Sequence, residues 1–157
     1  YTKRREKEAV NRRGPRKAGR ESRILPPVPD SPVHKLLEKA IDVYKGHFLP
    51  GDSAHPWALS YRERLRSKFL RAVIKLGTHW ELEMQWGNAA DVFQKGLEVD
   101  NRSEDFYQHL MLCHQQLGQR AEAIIVYNRC CALLSSTLGI SPSARTEELY
   151  QALKSGQ

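Results

Sequence analysis

The 157-residue chain is poor in the features that define membrane, secreted and disulfide-bonded proteins. Its longest apolar runs are short pieces such as residues 123–127, far below the roughly 20 residues that cross a bilayer. No apolar stretch of the kind found in secretory signals follows the basic N-terminus. Only three cysteines are present, without the spacing of a disulfide framework. We therefore expect a cytoplasmic protein with no contact to membranes.

Catalytic and cofactor motifs are also missing. No phosphate-binding loop, His-Glu-x-x-His, Gly-x-Ser-x-Gly or dinucleotide fingerprint occurs. His109 and Cys113 are spaced to point the same way from a helix, but a zinc site needs further ligands. Asp52 and His55 lie close together without an obvious nucleophile. We expect neither an enzyme nor a bound metal or cofactor.

The formal net charge of +7 has a single location. Residues 1–25 hold ten basic and three acidic residues, whereas residues 26–157 are neutral. A basic segment with so few apolar residues cannot offset its ordering entropy, and a proline-rich stretch follows it. We predict that residues 1–32 form a disordered tail or linker. It is either a solvated linker or a weak phosphate-binding arm, through Lys3, Arg4, Arg5, Arg12, Arg13, Arg16 and Lys17.

Beyond the tail, apolar residues recur with the period of a helix and show no convincing strand alternation. Ser31 and Pro32 are suited to the N-cap and first position of the first helix. Gly46, Gly118 and Gly139 follow predicted helices. The predicted helices cover residues 33–46, 57–80, 86–99, 104–117, 120–138 and about 142–153.

Two of these helix pairs repeat each other at an offset of 34 residues, the period of tetratricopeptide repeats. The matching positions are Val73 and Tyr107, Leu76 and Leu110, Gly77 and Met111, Trp80 and His114, Ala89 and Ala123, Phe93 and Tyr127, and Gly96 and Cys130. About three repeats are usually needed for a stable stack. We therefore expect the first helix to be the second helix of an earlier repeat, and the sixth helix to cap the stack.

The predicted fold over residues 33–155 is all-α, with antiparallel helix pairs stacked as a short tetratricopeptide-like superhelix of about six helices. Residues 57–80 would contribute one long apolar seam to this stack. Pro50 and Gly51 form a predicted turn, with Asp52 beside it, and Pro56 opens the next helix. Phe48 and Trp57 would pack across this corner.

Four segments resemble the bacterial transcriptional activator domain, the tetratricopeptide-like module of the antibiotic regulatory protein family of bacterial activators. The match covers about residues 35–153. Its most specific part is Phe48 to Asp52 with the following Pro56 and Trp57. The other parts are residues 62–65 with Phe69, residues 117–123 with Tyr127, and residues 138–143.

This resemblance implies a regulatory or oligomerisation module that works through protein–protein contacts. Members of the family usually carry a winged-helix DNA-binding domain before the module, and this chain shows none. The resemblance thus implies that DNA is bound by a domain outside this chain. An alternative is a free-standing tetratricopeptide-like adaptor that binds a protein or peptide unrelated to transcription.

One charged pattern on the second helix is a candidate contact surface. Arg64, Lys68, Arg71 and Lys75 form a single cationic stripe opposite the apolar face of that helix. Residues 62–75 carry a net +5 and residues 81–105 a net −5, so the neutral domain would be dipolar. The stripe is either a solvated face or an electrostatically matched contact, with another copy or with a partner.

Overall fold

A computed structural model describes residues 32–46 and 56–156, which form six α-helices and contain no β-strand. The helices are α1 (Pro32–Val43), α2 (Pro56–Leu82), α3 (Trp86–Val99), α4 (Glu104–Gln116), α5 (Arg120–Leu138) and α6 (Ala144–Ser155). Each helix packs against the next along the chain, and α4 also packs against α6. The predicted all-α fold with about six helices is confirmed.

The helix ends follow local sequence signals. Gly118 adopts φ +72° in the turn after α4, and its amide donates to the carbonyl of Gln115. Such a left-handed conformation favours glycine because it has no Cβ. Ser103 and Ser143 occupy N-cap positions, but only the Ser143 hydroxyl accepts a bond from the helix, from the amide of Thr146. The sixth helix starts at Ala144, two residues later than the sequence pattern indicates.

Repeat positions one period apart have the same burial at every quoted pair except Phe93 and Tyr127, of which Phe93 is buried and Tyr127 is half-buried. Ala89 and Ala123 are both fully buried at the crossings of α2 with α3 and of α4 with α5. Gly77 lies where α2 approaches α3 most closely, and a Cβ added there would overlap the Phe93 ring. The predicted period of 34 residues therefore corresponds to a real repetition in packing.

A stacked pair of aromatic rings lies at each contact between the second helix of one repeat and the first helix of the next repeat. Tyr44 of α1 stacks on Phe69 of α2 with ring centroids 4.3 Å apart. Phe93 of α3 stacks on His109 of α4 at 4.4 Å. Tyr127 of α5 stacks on Tyr150 of α6 at 3.8 Å. Because α1 behaves here like α3 and α5, it occupies the place of a second helix, and α6 occupies the place of a first helix.

Candidate partner-binding surface

Helices α1 and α2 pack antiparallel, and this packing determines which of their residues are covered. Near one end Tyr44 stacks on Phe69, and near the other end His34 meets His79 with ring centroids 3.6 Å apart. The His34 ring is buried, and its Nε2 has no hydrogen-bond partner among the described residues. Helix α1 therefore lies against the second half of α2 and leaves the first half of α2 beyond its end.

An open apolar groove runs between these two helices, with a volume of about 640 Å³. We call it the α1–α2 groove. Its lining residues are Leu36, Lys39, Ala40, Val43, Tyr44, Lys45 and Gly46 from the α1 side, and Leu65, Lys68, Phe69 and Ala72 from α2. Leu36 and Val43 are 66% and 69% exposed, respectively. Large aliphatic side chains at that level of exposure, side by side in one groove, are typical of an interaction surface.

The first half of α2 extends this apolar surface. Trp57 and Tyr61 are both more than half exposed, and their rings contact each other edge to face at 6.4 Å. Leu65 follows one turn later and is 37% exposed. The predicted seam over residues 57–80 was wrong at Trp57, Tyr61 and Leu65, which are exposed; α2 joins the main core cluster from Phe69 onward, and in its first half Ala58 is buried. The reason is that α1 covers α2 only along its second half.

The predicted cationic stripe meets the groove at Lys68, the one stripe residue among the described lining residues. Arg64, Lys68, Arg71 and Lys75 are all exposed, and none of them forms an ion pair with another described residue. The opposite edge carries Lys39 of α1 and Lys45, which follows α1. The groove is therefore bordered by lysines on both sides, and its described lining residues include no carboxylate.

The acidic residues of α1 lie on its other side. Glu38 and Asp42 border a separate cavity between α1 and α3, together with Lys95. The Lys95 ammonium is 3.4 Å from an Asp42 carboxylate oxygen, and both side chains are largely exposed. Charge on this part of α1 is thus divided, with Glu38 and Asp42 towards α3 and Lys39 towards the groove.

The acidic segment over residues 81–105 is partly used inside the domain. Glu81 Oε1 is 2.7 Å from His109 Nδ1. Asp100 Oδ1 forms an ion pair with the Arg66 guanidinium at 3.0 Å. Glu104 accepts a hydrogen bond from the Thr146 hydroxyl at 2.5 Å. Three of the seven carboxylates in this segment therefore stabilise helix packing, which reduces the acidic surface available to a second copy.

His109 and Cys113 point the same way, as their spacing predicts, and both meet Glu81. Burial, followed by the nearby Glu81 carboxylate, raises the pKa of the Cys113 thiol to about 12. This thiol is therefore protonated at neutral pH and is a poor nucleophile or ligand. Among the described residues, no group of three His, Cys, Asp or Glu side chains is arranged to hold a metal ion.

The family model described as "Bacterial transcriptional activator domain" matches residues 30–154. The chain belongs to this family. It is also 29% identical, over 121 residues, to the "Regulatory protein AfsR" of Streptomyces coelicolor. The aligned region covers 75% of this chain but only 12% of that relative. No solved structure matches the chain.

Membership of the bacterial transcriptional activator domain family makes this chain a module of a transcriptional regulator and confirms the resemblance found in the sequence. Most of the motif that carries that resemblance, Phe48, Pro50, Gly51 and Asp52, lies outside the described residues, as does the basic tail. Gly46 precedes that gap with φ +102°, and Pro56 begins α2. The predicted packing of Phe48 against Trp57 lies outside the described residues and stays a prediction.

The remaining motif residues of this activator domain are structural. Gly118 forms the α4–α5 turn, Ala123 is buried at a helix crossing, and the Tyr127 hydroxyl donates to Glu147 Oε1 at 2.6 Å. This bond, followed by burial, raises the pKa of the Tyr127 hydroxyl. No helix in the described part of the chain has the length and hydrophobicity of a membrane span.

Sequence reasoning identified the α2 edge of the groove but missed the α1 edge. The missed residues are Leu36, Lys39, Ala40, Val43 and Lys45. A signal for them was present, since the apolar residues of α1 cover about half of its circumference, more than one packed face requires. One half of that arc packs on α2, and the other half forms the groove.

Proposed function

We propose that this domain is the regulatory and oligomerisation module of a bacterial transcriptional regulator and acts through protein–protein contacts. DNA is bound by a domain outside this chain, and the protein works in the cytoplasm without catalysing a reaction. Family membership and the relative described as a regulatory protein support the regulatory part of this proposal. The α1–α2 groove supports the proposal of protein–protein contacts, because a monomer rarely leaves such an apolar surface uncovered without a function.

The cationic stripe supplies the charge side of the proposed contact. Exposed charges steer association and select partners more than they add affinity. Sedimentation of the whole chain at several concentrations, with and without operator-like DNA, tests the proposal directly. We expect concentration-dependent association or partner binding that weakens when Lys68 and Arg71 are both changed to Glu.

Arg145→Glu provides the matched control, because Arg145 is an exposed cation at the start of α6 at the other end of the stack. This control should associate like the unchanged chain. A chain that remains monomeric and binds no regulator fragment at any concentration would contradict the proposal. If the variant with Lys68→Glu and Arg71→Glu associates like the unchanged chain, the cationic stripe takes no part in the contact.

We also propose that the basic tail contributes weak, sequence-independent contacts to phosphates. Its candidate residues lie outside the described residues, and the proposal depends on charge alone: ten basic residues within the first 25. Removing residues 1–25 should lower the affinity for any duplex and flatten its dependence on salt. Equal DNA affinity with and without the tail, at low and high salt, would refute this role.

A further inference from the structure

The α1–α2 groove lies where a complete repeat would have its first helix. Ala40 and Tyr44 have the same spacing as Ala89 with Phe93, and the Tyr44 ring stacks on the following helix as Phe93 does. Ala89 is fully buried by its first helix, α2, whereas Ala40 is exposed and lines the groove. No described helix precedes α1. The groove is thus shaped by the repeat geometry to receive a helix.

The edges of the groove indicate the charge of that helix. Lys39 and Lys45 border it on one side and Lys68 on the other, while its floor is apolar. Among the described lining residues the Tyr44 hydroxyl is the only side-chain hydrogen-bond acceptor, so this part of the groove lacks the converging polar groups of a small-molecule site. A helix with one apolar face and acidic flanks would match both features.

We propose that the α1–α2 groove binds an amphipathic helix that has aliphatic anchors on one face and acidic residues along both flanks, supplied by a partner protein. The inference rests on the proposed function and names the chemistry of the partner. The helix would take the position that a first helix has in a complete repeat, covering Leu36, Ala40 and Val43. Its carboxylates would approach Lys39 on one side and Lys68 on the other.

Two other occupants fit the groove less well. The basic segment over residues 1–25 has a net charge of +7 and almost no apolar residues, so the lysines at the groove edges would repel it. Two copies facing groove to groove would place the same lysines against each other. The carboxylates Glu81, Asp100 and Glu104 of a second copy are already engaged in its own packing.

The length of the apolar surface sets the length of the helix. Trp57, Tyr61, Leu65 and Phe69 follow one another at intervals of four residues along α2 and form one inclined row with Ala72. From Trp57 to Ala72 this row extends about 22 Å, since a helix rises about 1.5 Å per residue. A helix of about four turns would cover it.

A synthetic peptide of about 16 residues is a suitable probe. It carries Leu at helical i, i+3, i+4 and i+7 positions and Glu on both flanks, and its fluorescence anisotropy is measured against the whole chain. We expect a Kd on the order of 10 µM. A second peptide with Lys in place of every Glu should bind at least about tenfold more weakly at low salt, because both groove edges are cationic.

Charge reversal on the protein completes the experiment. The double variant Lys39→Glu with Lys68→Glu should bind the acidic peptide at least about tenfold more weakly and the basic peptide more tightly. Both side chains are exposed, so the variant should fold, and far-ultraviolet circular dichroism would verify this. Arg145→Glu and Ile125→Ser, which change exposed residues of α6 and α5, should bind both peptides like the unchanged chain.

Equal affinity for the two peptides, or acidic-peptide binding that the double reversal leaves unchanged, would overturn the inference. Absence of acidic-peptide binding would overturn it as well. If the chain still associates in a stripe-dependent way in that case, the proposed contact function survives and only the chemistry assigned to the groove fails. If it neither associates nor binds the peptide, both proposals fail.

Discussion

The two ends of the helix stack are finished in opposite ways. At the C-terminal end, α6 covers α4 and α5, and buried polar groups are paired across that contact. The Gln108 amide donates to the Thr146 hydroxyl at 2.9 Å, and that hydroxyl in turn donates to Glu104. At the N-terminal end of the described stack, α1 leaves aliphatic side chains exposed, and His34 Nε2 has no partner.

The two ends therefore differ in whether the described residues cover the apolar side chains and pair the buried polar groups. A terminal helix needs a polar outer face and satisfied buried groups if it is to end a stack in water. The C-terminal end, formed by α6, meets both conditions, whereas the end formed by α1 meets neither. We therefore regard the α6 end as a cap and the α1 end as a surface for a partner.

The strongest test of the comparison removes the same side chain at each end. Leu153 of α6 is 3% exposed, and Leu36 of α1 is 66% exposed. Leu153→Ala should lower the free energy of unfolding by about 2–4 kcal/mol, since it removes a buried side chain and leaves a cavity. Leu36→Ala should change it by less than about 0.5 kcal/mol. Urea unfolding of both variants measures this difference, and equal losses would contradict the distinction between the ends.

A second test removes one hydroxyl from the polar contact at the capped end. Thr146→Val keeps the shape of the fully buried side chain but leaves the Gln108 amide and the Glu104 carboxylate without this partner. We expect a loss of about 1–3 kcal/mol in the free energy of unfolding. The control is Thr137→Val, because Thr137 is exposed and its hydroxyl bonds only within α5. A neutral Thr146→Val variant would show that the polar contact does not stabilise the cap.

Acid should affect the two ends over different pH ranges. At the α1 end, burial and then the nearby His34 lower the pKa of His79, while Glu83 acts in the opposite direction. The folded state thus binds its proton less readily than the unfolded state, so stability at this contact declines as pH falls below about 6.5. A cavity is lined by both His34 and His79. The other described charged residues that border it are Lys35, Glu38 and Glu83.

At the α6 end, burial opposes ionisation of Glu104, but hydrogen bonds from Thr146 and the Ser143 amide outweigh it and lower the pKa of this carboxyl. That contribution is present above about pH 4.5 and is lost only as pH falls through the folded-state value. Protection factors for amide hydrogen exchange, which correct for the slower intrinsic exchange at lower pH, should therefore fall in α1 between about pH 7 and pH 5 while those of α6 are retained. His79→Gln should remove the change in α1, and an equal fall in both helices would argue against separate responses.

The smallest expected effect concerns the ion pair between α1 and α3. Lys95→Gln should alter the free energy of unfolding by less than about 0.5 kcal/mol, because exposed ion pairs contribute little. Arg66→Gln is the informative companion, since the Arg66 and Asp100 side chains are 24% and 20% exposed and their pair joins α2 to α3. Urea unfolding should show a larger loss for Arg66→Gln. Equal effects would show that the burial of these pairs does not determine their contribution.

The fold was accessible to sequence reasoning because it depends on local, periodic signals. Ala89 and Phe93 recur one period later as Ala123 and Tyr127, and glycines mark the helix ends. The groove was less accessible, because exposure depends on which helix is present to cover a residue. Ala40 has the same sequence context as Ala89, and only the absence of a described helix before α1 leaves it uncovered.

The polar contact under α6 could not be predicted either. Glu104, Gln108 and Thr146 have no motif spacing, and they meet because α6 crosses α4 at a particular height. A sequence pattern fixes which face of a helix is apolar, but the relative positions of two helices along their axes depend on side-chain packing. For the same reason, the sequence could not show that α1 stops short of Trp57.

The length of α2 has a consequence for how this domain can vary. An offset of 34 residues places α4 (Glu104–Gln116) on residues 70–82 of α2, so residues 56–69 have no counterpart in the following repeat. Trp57, Tyr61, Leu65 and Lys68 all lie in this surplus segment, which is about four helical turns long. Much of the α2 side of the proposed contact surface is thereby encoded outside the repeated packing, so these four residues can be exchanged while the repeat core from Phe69 onward is kept.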